Sequence, residues 1–205
     1  MLTRGSVCLV LLAATFATLA LGPLAAGCSQ RRAVEAKGDD ALHPGVAVSI
    51  DLDGDGAAEN VLIESQSGRL TITDDSTVYH SRQKWRVAAA CLGDTDHNGQ
   101  PEVIALLDAS DGRHLGLFGY SSDGDVAKYR ERLVTGVLRP KPLAMKVLTA
   151  DEAAGESGGS DGSTSGDILV LTEEIDSGLS GAATGSRDTT YRWNGFGFTA
   201  LGVVK

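Results

Sequence analysis

From residue 46 to residue 203 the chain alternates apolar and polar side chains over short stretches, interrupted by clusters of Gly, Asp, Asn and Ser. Val46-Ala47-Val48-Ser49-Ile50, Asn60-Val61-Leu62-Ile63-Glu64 and Arg69-Leu70-Thr71-Ile72-Thr73 are typical. Period-two alternation over such short lengths, rich in β-branched residues, predicts strands rather than helices. Strands are expected near 46–50, 60–64, 69–73 and 77–82, then 85–92, 102–108, 113–120 and 126–134. A third group is expected near 143–149, 167–174, 188–193 and 196–203. Ser110-Asp111-Gly112, Asp123-Gly124-Asp125 and Asn194-Gly195 carry the turn chemistry that joins neighbouring strands. The fold class is therefore all-β, in about three units of four antiparallel strands.

Two of the polar interruptions repeat each other. Asp51-Leu52-Asp53-Gly54-Asp55-Gly56-Ala57-Ala58-Glu59 and Asp94-Thr95-Asp96-His97-Asn98-Gly99-Gln100-Pro101-Glu102 share the pattern D-x-D-x-[D/N]-G-x-x-E, followed by an apolar run. Side chains at positions one, three and five of a tight curve turn inward, and Gly at position six permits the bend. The backbone carbonyl of position seven (Ala57, Gln100) and the carboxylate of position nine (Glu59, Glu102) complete a set of hard oxygens suited to Ca2+. The candidate metal ligands are thus Asp51, Asp53, Asp55, Ala57 and Glu59 in one loop, and Asp94, Asp96, Asn98, Gln100 and Glu102 in the other. An EF-hand is excluded, because position twelve is Leu62 or Ala105 instead of a bidentate Glu, and the flanks are strands. Without that carboxylate, affinity is expected in the weak extracellular range, about 10⁻⁴–10⁻³ M. Asn98 in place of an Asp lowers the charge of the second loop, which is expected to be the weaker.

Strand–DxDxDG–strand units recurring in this way resemble FG-GAP/VCBS repeats, the integrin-α type of β-propeller blade. The resemblance covers most of residues 45–204 and is most specific at the two loops. It implies a β-propeller-like array of about three four-stranded antiparallel blades, with calcium pinning the strand pairs. Propellers close with four or more blades. Three units therefore leave three alternatives: a small closed ring, an open stack, or half of a ring completed by a second copy in a homo-oligomer. In the third unit the loop position is filled by residues 151–167, long, Gly/Ser-rich and acidic, where no calcium site is assigned.

The start of the chain has a different character. Residues 6–26 are uncharged and largely apolar, preceded by Arg4 and ending in Ala25-Ala26-Gly27-Cys28. Small residues before a cut, then a polar segment, read as a signal peptide. Leu24-Ala25-Ala26-Gly27-Cys28 also resembles the bacterial lipobox, which implies cleavage after residue 27 and lipidation of Cys28. The expected organisation is a lipoprotein signal peptide over 1–27, a lipidated Cys and flexible tether over 28–44, and the repeat domain over 45–205. Export, with anchoring to the cell-envelope membrane through Cys28 and the protein facing the periplasm or exterior, follows from that resemblance.

A net charge of −9 argues against nucleic acid, since phosphate binding needs a surplus of Lys and Arg. Cys91 lies in an apolar run and reads as a buried, inert thiol. No catalytic constellation stands out. His43, His80, His97 and His114 are scattered, and Gly155-Glu156-Ser157-Gly158-Gly159 lies in low-complexity sequence without a partner His. Tyr191, Trp193, Phe196 and Phe198 flank the last hairpin, and Trp85 opens a strand. All five read first as core residues, with a sugar-stacking platform at the hairpin as the other reading. The expected function is a non-catalytic interaction module, for adhesion or ligand binding, with a protein or polysaccharide partner. The alternatives are an envelope hydrolase with a site on the loop face, and a structural subunit completing a larger propeller or envelope complex.

Overall fold

The computed structural model describes residues 35–122, 128–149, 152, 166–176 and 183–204. Cys28 and the apolar segment before it, the Asp123–Asp125 turn and most of loop 151–167 lie outside the described residues. Strands β1 (Glu35–Lys37) and β2 (Ala41–Leu42) precede the repeats. The first unit is β3 (Val48–Ile50), β4 (Glu59–Ile63), β5 (Leu70–Thr73) and β6 (Val78–His80). The second is β7 (Arg86–Gly93), β8 (Glu102–Ala109), β9 (Gly112–Tyr120) and β10 (Tyr129–Val134). The third is β11 (Pro142–Leu148), β12 (Ile168–Asp176), β13 (Ala183–Trp193) and β14 (Phe198–Val204). Each unit is an antiparallel meander in its own sheet, as the alternation requires.

One part of the expected organisation needs correction. The tether expected over 28–44 is not a tether throughout. β1 pairs parallel with β11 at the edge of the third sheet, and β2 pairs antiparallel with β7 at the edge of the second. These strands are too short to show a hydrophobic period, so composition hid them. They exist because the sheet edges offer unpaired backbone groups, and covering such an edge needs no particular side-chain pattern. The segment thereby ties two sheets together, and the Leu92 N–H donates to the Asp40 carbonyl at 3.0 Å.

The second sheet lies between the other two, and its alternation serves two cores. Val87, Ala90, Leu92, Val103, Ala105, Leu107 and Phe118 join Val61, Ile63, Leu70 and Ile72 of the first sheet. Ala89, Cys91, Ile104, Leu106, Leu115 and Leu117 join Met145, Val147, Leu169 and Leu171 of the third. A register shift between Val87 and Ala89 explains why Val87 and Ala90, an odd number of residues apart, share one face. Burying each Leu, Ile or Phe in these layers contributes about 1.5–3 kcal/mol. The far face of the first sheet is mostly polar instead: Ser49, Asn60 and Thr73 lie in one register line with the exposed Val78, and Thr71 and His80 in the next with Leu62.

Candidate metal centres at two acidic loops

The first acidic loop joins β3 to β4 and the second joins β7 to β8, so both lie at the same end of their sheets. Their internal hydrogen bonds match almost position for position. The position-one carboxylate receives two backbone N–H groups: Gly54 (2.7 Å) and Gly56 (3.0 Å) on Asp51, Asn98 (3.0 Å) and Gly99 (2.9 Å) on Asp94. The position-five side chain receives the N–H of position seven, from Ala57 to Asp55 at 2.8 Å and from Gln100 to Asn98 at 2.7 Å. The position-nine Glu receives the N–H of position two, from Leu52 to Glu59 at 2.7 Å and from Thr95 to Glu102 at 3.0 Å. Positions four and six are left-handed in both loops, at φ 77° and 87° for Gly54 and Gly56, and 57° and 83° for His97 and Gly99. His97 is thus the one non-glycine residue with positive φ among the described residues.

This folding gathers three carboxylates in each loop. Ligand oxygens of Asp51, Asp53 and Glu59 lie within 4.8 Å of one another, and so do those of Asp94, Asp96 and Glu102. Oxygens at that separation can share one hard cation with bonds of about 2.3–2.6 Å. Asp55 falls outside the first triad and is half exposed, and Asp55 and Asn98 each accept the position-seven N–H. Ala57 and Gln100 enter the hydrogen-bond scheme through those same N–H groups.

Sequence reasoning missed the basic side chains that meet both clusters. Lys128, just before β10, places Nζ 2.6 Å from Asp53 and pairs also with Asp74. Arg132 pairs with Glu102 and reaches Asp96 at 2.8 Å. A register shift between Glu131 and Leu133 makes Arg132 the extra residue of a β-bulge, and a bulge re-aims a side chain in this way. The available signal was the basic alternation Lys128, Arg130, Arg132 on a strand next to acidic loops, but strand pairing across sheets is not written in the local pattern.

The two clusters differ electrostatically. Burial works to raise the Asp53 carboxyl, yet Lys128 and the Asp55 N–H outweigh it and hold it below the ordinary range. Asp53 and Asp74 in turn hold the Lys128 ammonium well above its ordinary range. Burial pushes Glu59 up, and it pushes Glu102 up further, to about 7, with the neighbouring Asp96 adding to the effect. Asp96 Oδ1 is buried with no hydrogen-bond partner. The second cluster therefore retains an unmet demand for positive charge, although Arg132 already faces it. Its hard, buried, unpartnered oxygen suits a divalent cation.

The loops also touch one another. Gln100 Nε2 donates to the Asp53 carbonyl at 2.7 Å, linking the second loop to the first. The segment just before β12 in the third unit makes a similar link, to the second loop. The Asp94 N–H donates to Asp167 Oδ2 at 2.8 Å, and the Asp167 N–H returns to the Asp94 carbonyl at 2.9 Å. Gly166 is required at this junction, because a Cβ there would stand 2.2 Å from the Thr95 carbonyl oxygen. Asp167 directly precedes β12, whereas Glu59 and Glu102 open β4 and β8.

The other singled-out residues fall mostly into the cores. Cys91 is fully buried, and burial pushes its thiol up to about 12, which makes it unreactive at neutral pH. Trp85 donates to Glu131 at 3.1 Å and packs on His114 with ring centroids 5.0 Å apart. Tyr191, Trp193 and Phe198 pack against the second core, whereas Phe196 is 91% exposed at the hairpin tip. The site thus defines an all-β protein with paired acidic loops, each backed by an internal basic side chain. Comparison with protein-family models, curated proteins and solved structures found no match to this chain.

Proposed function

We propose that the chain is a calcium-stabilised, non-catalytic interaction module of the FG-GAP/VCBS repeat type. In this reading it is carried to the cell envelope by its signal peptide and anchored in the membrane through a lipid on Cys28. One observation carries the calcium reading: two loops in successive sheets with the same hydrogen-bond scheme, each drawing three carboxylates within 4.8 Å. The polar far face of the first sheet supports an open array that ends there, because a further blade would have to bury those polar groups. Calcium would be held by Asp51, Asp53 and Glu59, and by Asp94, Asp96 and Glu102. There it would supply the charge that keeps these carboxylates together. A second reading, ion-paired loops that need no metal, is favoured by Lys128 and Arg132, which already neutralise part of each cluster.

Calcium titration of the chain by calorimetry, with parallel thermal melts, separates the two. Two weak sites at about 10 mM calcium would stabilise the fold by roughly 1.4–2.7 kcal/mol each if Kd lies near 10⁻³–10⁻⁴ M. That corresponds to a rise of about 3–10 °C in Tm per site, and Asp53→Ala or Asp96→Ala should remove its share. No heat and no shift at millimolar calcium would leave the ion-paired reading standing alone.

A further inference from the structure

Beside the second acidic loop lies a cavity of about 360 Å³. Its walls are Tyr120 at the end of β9, Ser121 and Ser122 after it, Arg130 and Arg132 on β10, and Asn98 and Gln100 from the loop. We propose that this groove binds a carboxylated sugar, a hexuronate, with Arg130 and Arg132 on its carboxylate and the uncharged groups on its hydroxyls. The inference deepens the interaction-module reading by naming a ligand class. Its calcium dependence rests on the metal reading, while the groove itself does not.

Ser121 supplies the observation that points to a ligand. It is 8% exposed, its N–H is satisfied by the Lys128 carbonyl at 2.9 Å, and its hydroxyl is buried without a partner. Folded proteins leave few such groups, because a buried unpaired hydroxyl forfeits its hydrogen bonds to water. Rotation about χ1 turns a serine hydroxyl at little cost, so a partner in the groove can draw it out. The amides are poised similarly. Asn98 spends its oxygen on the Gln100 N–H, and Gln100 spends its NH2 on the Asp53 carbonyl. That leaves a donor on Asn98 and an acceptor on Gln100, the mixture that sugar hydroxyls need. Tyr120, whose ring meets that of Tyr129 in a T-shaped contact with centroids 6.5 Å apart, closes one wall of the groove. A bare phosphate would use the guanidinium forks and leave the amides, Tyr120 and Ser121 idle.

Arg132 joins the groove to the acidic loop. Its guanidinium already pairs with Asp96 and Glu102, so an incoming carboxylate competes with them. A cation on those two carboxylates would release the guanidinium toward the groove. Calcium and the uronate should therefore bind with positive coupling, and the coupling must be reciprocal.

The test is a titration of the full chain with galacturonate, followed by calorimetry or ligand-observed NMR, in calcium and in chelator. Galacturonate should bind more tightly than galactose or inorganic phosphate, and calcium should tighten it at least about fivefold. Ser121→Ala should weaken binding about fivefold while Tm stays level or rises, because the substitution removes an unsatisfied buried hydroxyl. Arg130→Gln should weaken it about tenfold or more. Phosphate binding as tightly as galacturonate, or galacturonate binding that Ser121→Ala does not change, would overturn the sugar site. Calcium binding without galacturonate binding would overturn this inference and leave the metal reading intact. Galacturonate binding that is sensitive to Ser121 and Arg130 but indifferent to calcium would uphold the groove and overturn the coupling.

Discussion

The two acidic loops have one backbone scheme and two electrostatic outcomes. In the first, Asp53 keeps the Asp55 N–H at 3.1 Å and Lys128 at 2.6 Å, and its carboxyl is held low. In the second, Asp96 has an oxygen without a partner and Glu102 is pushed up to about 7. Counting loop charges suggests that the first loop, with an Asp where the second has Asn98, needs a cation more. The partners of the buried carboxylates suggest the reverse: Asp53 meets Lys128 and a backbone N–H, whereas Asp96 keeps a buried oxygen without a partner. Charge in a loop costs little while water reaches it, and Asp55 is half exposed. A carboxylate with a side chain only 2% exposed, such as Glu102, must be compensated by protein, proton or metal.

The sharpest way to break this comparison is to delete the internal cations in chelator. Arg132→Met leaves Glu102 and Asp96 facing each other without a counter-charge, and should cost about 2–4 kcal/mol by urea unfolding. Lys128→Met should cost less, about 1–2 kcal/mol, because Asp53 keeps a backbone donor while Asp96 has a buried oxygen with none. Calcium should restore most of the Arg132→Met loss, since it answers the same demand. Equal losses in the two variants would erase the electrostatic distinction between the loops, and a loss that calcium does not repair would remove the metal from the second.

A pH series sharpens the same contrast with a somewhat smaller effect. The Glu102 carboxyl titrates near 7 in the folded chain and near 4.5 when unfolded. Between those values the folded state binds the extra proton, so stability falls as pH rises through that window. In chelator the fall due to Glu102 should be on the order of 2 kcal/mol, and Glu102→Gln should abolish it. Glu59 moves in the same direction with a smaller shift, so Glu59→Gln should flatten the slope less. A slope unchanged by Glu102→Gln would mean that water reaches this carboxylate after all.

What the sequence made legible follows from which forces are local. Alternation is local, so the strands of all three units fall within a few residues of their expected places, the second unit's β8 among them at Glu102–Ala109. The loop turns are local too: Gly at position six and acids at one, three and nine are enough to bring the carboxylates together. β1 and β2 escaped because three and two residues carry no period, and their pairing is a property of the sheet edge they cover. Lys128 and Arg132 escaped because they lie on a strand that reaches the loops only through the second sheet's folding, and Arg132 only through a bulge. The groove beside the second loop was illegible for the same reason: Asn98, Tyr120, Ser121 and Arg130 converge from three separate stretches of chain.

The smallest effect tests whether the two backbones are equivalent. Position four is Gly54 in the first loop and His97 in the second, both left-handed, at φ 77° and 57°. An L-residue pays about 1 kcal/mol in that region, which glycine avoids. His97→Gly should therefore gain a few tenths of a kcal/mol at most, because glycine's extra freedom in the unfolded chain offsets much of the relief. Gly54→Ala should lose about 1–2 kcal/mol, for two reasons. The φ is unfavourable, and the new Cβ would stand 2.8 Å from Gln100 Nε2, the group that bonds the Asp53 carbonyl. Part of that cost comes from displacing Gln100, so Gln100→Ala and Gly54→Ala should lose less together than the sum of their separate losses. Strict additivity in urea unfolding would mean that the contact between the loops carries no energy. The asymmetry between position four of the two loops would then be a matter of backbone strain alone.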